Sequence, residues 1–177
     1  MDTIEESYVF VKILNPHVCT QRRLAPVCFR RAGLAIEFAG FLLVLNEGIT
    51  PAVGEIVYLG GRVLTKSGEP LRNGYIEIWQ TDAHGSYVHS GGRNTTPYDS
   101  NFQGYGRFIT DSKGQYFFRT IKPVEYTLQG AFRCPHIHVA ISKSGHRLIA
   151  TQILVKGHPA NERDGLVKRN VAKGETL

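Results

Sequence analysis

The sequence predicts an all-β protein: an antiparallel β-sandwich with long active-site loops and a short irregular N-terminal segment. Two observations carry that expectation. With 19 glycines and 8 prolines in 177 residues, the chain is rich in turns rather than long helices. Six short runs of apolar, β-branched and aromatic residues are separated by glycine-containing turns, which fits a sandwich better than alternating parallel α/β units. The length suits one domain, and a composition 42% hydrophobic and 20% charged is that of a globular chain.

Taken in order, residues 1–53 carry no motif with attached chemistry. Within them the apolar run 34–45, interrupted by Glu37, is too short for a bilayer span of ~20 residues. Arg30 and Arg31 precede it as in a signal peptide, but the long acidic lead-in and the absence of a nearby A-x-A site favour a helix or strand packed on the main body. Residues 51–54 read as a loop, giving an N-terminal segment (1–53) and a β-sandwich domain (54–177). A strand is expected over 55–64, followed by a turn over 66–70. A second strand, 75–80, alternates apolar and polar residues around Trp79, which reads as a core residue. Residues 81–105 form a long Gly/Asn/Ser/Tyr/His loop of the kind that carries function. Strands 106–110 and 115–121 flank Asp111-Ser112-Lys113-Gly114 and read as a hairpin. Strands 136–142 and 147–154 flank Lys143-Ser144-Gly145-His146 and read as a second hairpin.

Charge and cysteine content narrow the function. Five basic and five acidic residues lie in 1–53, so the net charge of +6 belongs to the remainder. No basic run interleaves with aromatics, which argues against nucleic acid and leaves a solvated basic face or the steering of small anions. Cys19, Cys28 and Cys134 are odd in number and form no C-x-x-C pair. A disulfide framework and a cysteine zinc site are thereby disfavoured, and a cytoplasmic, reducing compartment is expected, with no membrane association.

The sharpest chemical feature is His136-Ile137-His138. Residues i and i+2 of a strand share a face, so both imidazoles can reach one ion. An H-x-H pair alone is more often incidental than metal-binding. Tyr126 stands ten residues upstream, and Tyr87 lies in the long loop. A phenol, with a pKa near ~10, is a poor ligand until a hard, highly charged cation ionises it. Two phenolates, two neutral imidazoles and a hydroxide would balance the charge of Fe(III), which matters where charge is buried.

With these residues in view, the chain resembles the intradiol ring-cleavage dioxygenases, most closely the protocatechuate 3,4-dioxygenase type. The resemblance runs from about residue 54 to 164. It rests on Gly61-Arg62-Val63, Ile76-Glu77-Ile78-Trp79-Gln80, Gly85-Ser86-Tyr87, Arg119-Thr120-Ile121-Lys122-Pro123 and Arg133-Cys134-Pro135-His136-Ile137-His138, in that order. It implies a non-haem Fe(III) held by Tyr87, Tyr126, His136 and His138, with Tyr87 as the ligand that leaves when substrate binds. It implies that Arg133 and Gln152 bind the substrate, and that O2 is the co-substrate. The implied reaction cleaves a catechol between its hydroxyl-bearing carbons to give a cis,cis-muconate.

Small aromatic diols are the expected partners, together with an oligomer built from this chain or a related subunit. Tyr126 lacks the family's common flanking Gly-Pro and Pro-Trp, the 126–136 span is about three residues short, and Phe132 stands where a tryptophan is frequent. These departures bear on the pocket wall, hence on which catechol is taken. His84 and His89 are read as loop histidines, Cys134 as a small buried hydrophobe. A surface salt bridge is the alternative for Arg133. Two other readings stay open: a catalytically degenerate intradiol homologue, and a non-enzymatic transthyretin-like binding module, which shares the Gly61-Arg62-Val63 and Gly68-Glu69-Pro70 signals but needs no Tyr/His set.

Overall fold

The computed structural model describes residues 9–14, 40–41, 50–65, 67–89 and 93–172. The strands are β1 (Val9–Leu14), β2 (Gly40–Phe41), β3 (Ile56–Val63), β4 (Tyr75–Trp79), β5 (Tyr105–Ile109), β6 (Gln115–Ile121), β7 (Tyr126–Leu128), β8 (Ala131–Arg133), β9 (His136–Lys143) and β10 (His146–Leu154). A 3₁₀ turn over Pro159–Glu162 and helix α1 (Gly165–Ala172) follow. One sheet has the order β1-β3-β6-β2, the second β10-β9-β4-β5, and β7-β8 form a separate ribbon. The pairings are antiparallel except the short parallel contact of β2 with β6.

Period-two alternation explains how the sheets meet. Leu59 and Val63 of β3, Tyr116 and Phe118 of β6, Ile76 and Ile78 of β4, and Ile137, Val139 and Ile141 of β9 join one buried core. The opposite side of β4 and β9 is thereby left to Trp79, His136 and His138. Among the described residues no helix is long and apolar enough to cross a membrane.

Two sequence expectations change. Part of the N-terminal segment read as irregular is a strand, Val9–Leu14, which pairs with β3. Gly40–Phe41, inside the apolar run 34–45, pairs with β6, a strand on the main body as expected of that run. The rest of that run lies outside the described residues. The turn Asp111-Ser112-Lys113-Gly114 joins no hairpin, because β5 pairs with β4 whereas β6 pairs with β3 and β2. It is an arch between sheets, turned by the Asp111 carboxylate, which accepts the Lys113 and Gln115 N–H groups at 2.8 and 2.7 Å. Phe108 and Phe118 then meet edge to face across the core, centroids 6.0 Å apart. The β9–β10 hairpin forms as expected. The short 126–136 segment becomes the β7–β8 ribbon, turned by Gln129 and Gly130, both at positive φ (51° and 79°) as in a type I′ turn.

Candidate active site

β9 presents His136 and His138 on one face, away from the core residues Ile137 and Val139. Tyr126 opens β7 directly opposite Arg133 on β8, so the ribbon sets the phenol and the guanidinium side by side. Tyr87 comes from the long loop, whose local hydrogen bonds are dense. The buried Asp82 carboxylate accepts the His84, Ser86 and Asp99 N–H groups. The Asn94 side-chain amide bonds both backbone groups of Tyr87, accepting its N–H at 3.0 Å and donating to its carbonyl at 2.8 Å. Gly85 lies so close to Tyr126 that an added Cβ would fall 2.7 Å from the Tyr126 Cβ.

These elements bring four heteroatoms together. Tyr87 Oη lies 3.1 Å from Tyr126 Oη, 3.1 Å from His138 Nε2 and 3.5 Å from His136 Nε2. His136 Nε2 lies 3.4 Å from Tyr126 Oη and 3.2 Å from His138 Nε2. Donors with these mutual spacings sit about 2 Å from a common centre, the usual distance of nitrogen and oxygen ligands from a metal ion. The tautomer of His136 also fits. Its Nδ1 lies 2.7 Å from the Cys134 carbonyl, which can only accept, so Nδ1 carries the proton and the Nε2 lone pair faces the cluster.

Electrostatics agree with a cation site. Burial lowers His136 to about 4, with the Cys134 carbonyl only partly opposing, and Arg133 lowers it further. Burial, then His136 and Arg133, lower His138 to about 3, so both rings are neutral at pH 7. Burial pushes the phenols of Tyr87 and Tyr126 up, so neither ionises at neutral pH without a strong cation beside it. Among the described residues no group of three or more His, Cys, Asp or Glu could hold a metal, so the two-tyrosine, two-histidine set stands apart from carboxylate and thiolate centres.

Beside the four donors opens a cavity of about 300 Å³, room for one aromatic ring, lined also by Trp79, His89, Arg93, Leu128 and Arg133. Among the described residues its charged lining is cationic, with no acidic side chain. Trp79 is not the core residue expected. It lies on the outer face of β4 and stacks on His138, centroids 4.9 Å apart and planes within 2°. The reason is register: Trp79 pairs directly with His138, so both project to the same side. His89 is exposed at the cavity rim, and His84 is exposed beside Asp82; neither joins the four donors. Cys134 is fully buried with Ala160 and Val167, as a small hydrophobe.

Arg133 makes an ion pair, but not the surface pair considered from sequence. Its Nε donates to Asp164 Oδ2 at 2.9 Å, with side chains only 12% and 0% exposed. Its Nη2 donates to Gln152 Oε1 at 2.6 Å, so Gln152 reaches the cavity through Arg133. Asp164 and Asn94 are the site-supporting residues that the sequence reading missed. A signal existed for Asp164, an aspartate just before the helical stretch 165–172, where N-caps stand.

The fold and site together define a class: a β-sandwich that gathers two phenols and two imidazoles beside a small cavity lined by two arginines. Known proteins narrow the class. Residues 40–174 match the sequence family described as Dioxygenase. The chain is 37% identical over 133 residues to the protocatechuate 3,4-dioxygenase beta chain of Burkholderia cepacia, covering 66% of this chain and 57% of that protein. It is 33% identical over 129 residues to the catechol 1,2-dioxygenase of Acinetobacter baylyi, covering 65% and 40%. The catechol 1,2-dioxygenase structure from Pseudomonas arvilla C-1 aligns with a TM-score of 0.55 at 28% identity, over 70% of this chain and 41% of that one. The chain belongs to the intradiol dioxygenase family. It spans about half the length of the curated relatives it matches. Family membership sets aside the transthyretin-like binding module.

Proposed function

We propose that this chain is a non-haem Fe(III)-dependent intradiol dioxygenase that cleaves a catechol-type ring between its hydroxyl-bearing carbons with O2, giving a cis,cis-muconate. The observation that carries the reading is the convergence of Tyr87, Tyr126, His136 and His138, five of their six donor-atom pairs 3.1–3.5 Å apart, on a cavity the size of one ring. The chemistry Fe(III) supplies when bound is Lewis acidity, which ionises phenols and makes a chelated catecholate reactive toward O2.

The residues do the rest. Tyr126, His136 and His138 would hold the metal, and Trp79 fixes the plane of His138 by stacking on it. Tyr87, whose phenol burial makes a strong proton acceptor once ionised, takes one hydroxyl proton from the substrate and turns aside as a neutral phenol. Arg133 brings permanent positive charge to the cavity and steadies negative charge on the ring oxygens. Trp79 and Leu128 wall the ring. The cationic lining by Arg93 and Arg133 favours a catechol with an anionic substituent, so the substrate is protocatechuate-like. The chain assembles with itself or with a related subunit, a reading supported by relatives named as alpha and beta chains.

Oxygen uptake by the iron-loaded protein, measured with catechol, protocatechuate and hydroxyquinol, tests this. The expected result is one O2 consumed per diol, a cis,cis-muconate product, and the highest kcat/KM with protocatechuate. Full iron with no uptake on any of the three would contradict it and mark a degenerate homologue.

A further inference from the structure

Asp164 is fully buried and both its oxygens are engaged. Oδ2 accepts from Arg133 Nε and from the Cys134 N–H, each at 2.9 Å. Oδ1 accepts the Leu166 and Val167 N–H groups at 2.8 and 3.3 Å, capping α1. One carboxylate therefore ties the start of the helix, the cavity arginine and the backbone leading into His136. Gln152 takes an Nη2 hydrogen of the same guanidinium from another direction. A guanidinium has five N–H donors in a rigid plane, so two anchors on Nε and Nη2 fix that plane. Among the described residues Nη1 has no hydrogen-bond partner and remains for a group in the cavity that Arg133 lines.

We propose that Asp164 is the positioning residue for Arg133, holding the guanidinium so that its remaining donors meet the substrate, and that it couples the docking of α1 to the reaction. This rests on the function proposed above. A buried ion pair contributes little net stability over a well-packed apolar pair, so orientation is what this arrangement supplies.

The test combines substitutions at Asp164 and Arg133 in the iron-loaded full chain. Asp164→Asn removes the charge at nearly constant shape. Asp164→Ser keeps an N-cap acceptor for α1 and removes the carboxylate from Arg133. Both are expected to retain the iron content and resting visible spectrum of the parent. Anaerobic catechol should still perturb that spectrum, at a higher half-saturating concentration. Oxygen uptake should show kcat/KM reduced roughly 10- to 100-fold, short of the ~10²–10³ typical when a stabilising donor is deleted outright. In an Arg133→Gln background the same Asp164 substitutions should change kcat/KM by less than about 2-fold, because residues acting through one another are not additive. Equal fold-losses with and without Arg133 would overturn the proposal and leave the reaction standing. An iron-loaded parent that neither changes spectrum with catechol nor consumes O2 would overturn the function, and this positioning role with it.

Discussion

Replacing Gly85 by alanine probes the contact that presses the Tyr87 loop onto Tyr126. The added Cβ would lie 2.7 Å from the Tyr126 Cβ, on a residue held at φ +80°. Carbon atoms pack at about 3.5–4.0 Å, so the loop and Tyr126 must part by about 1 Å. The left-handed backbone alone costs an L-residue about 1–2 kcal/mol. Overpacking adds about 1–3 kcal/mol, which brings the expected loss to roughly 2–5 kcal/mol. Gly145 separates the two contributions, because it has nearly the same φ, +79°, and nothing within 4 Å of its added Cβ. Gly145→Ala should therefore lose only the backbone share, about 1–2 kcal/mol. Urea unfolding of the iron-free proteins gives both numbers, and iron per chain after loading gives the consequence for the site. Gly85→Ala should be the less stable variant and should bind substoichiometric iron, while Gly145→Ala binds iron as the parent does. Equal stability losses with full iron in both would refute the claim that this contact sets the spacing of the tyrosines.

Three further outcomes follow from the same geometry. His138→Ala removes a donor whose Nε2 stands 3.1–3.2 Å from two others, and the purified protein should lose its iron, as read by metal analysis. Arg133→Ala leaves all four donors in place and should keep iron while kcat falls about 10²–10³-fold in the oxygen-uptake assay. Burial pushes the Asp164 carboxyl up, but hydrogen bonds from the Cys134 N–H, Arg133 and the Leu166 N–H outweigh it and hold the carboxyl well below the usual range. A carboxylate with a depressed folded pKa stabilises fully above its unfolded value of about 3.9 and loses that contribution as pH falls through its folded value. The stability gap between the parent and Asp164→Asn, from urea unfolding, should be constant from pH 7 to about pH 5 and shrink at lower pH.

The two imidazoles were legible as a pair because their spacing follows a local rule, whereas Tyr87 and Tyr126 joined them through the family resemblance. His136 and His138 share a strand face by period two, and that face points away from the core because Ile137, Val139 and Ile141 fill it. Trp79 was misread for a related reason. Its strand alternates correctly, but the face it occupies is decided by pairing with His138 on β9, a partner nearly sixty residues away. The arch at Asp111–Gly114 shows the same limit. A short turn between two strands looks alike whether they pair with each other or cross to opposite sheets, and the long-range pairing of β5 with β4 and of β6 with β3 tells them apart. Asp164 lay beyond the last strand, and its link to Arg133 is tertiary, so the cap signal was present while its second task was not. Asn94 clamps Tyr87 from within the long loop, where no periodicity constrains which side chain turns inward.

The central claim is that Tyr87, Tyr126, His136 and His138 bind one Fe(III) beside a catechol cavity. A visible spectrum of the iron-loaded protein, with iron quantified on the same sample, tests it directly. One iron per chain is expected, with a broad tyrosinate-to-iron absorption that shifts when catechol is added without oxygen. A protein that stays colourless after loading with Fe(III) would contradict it.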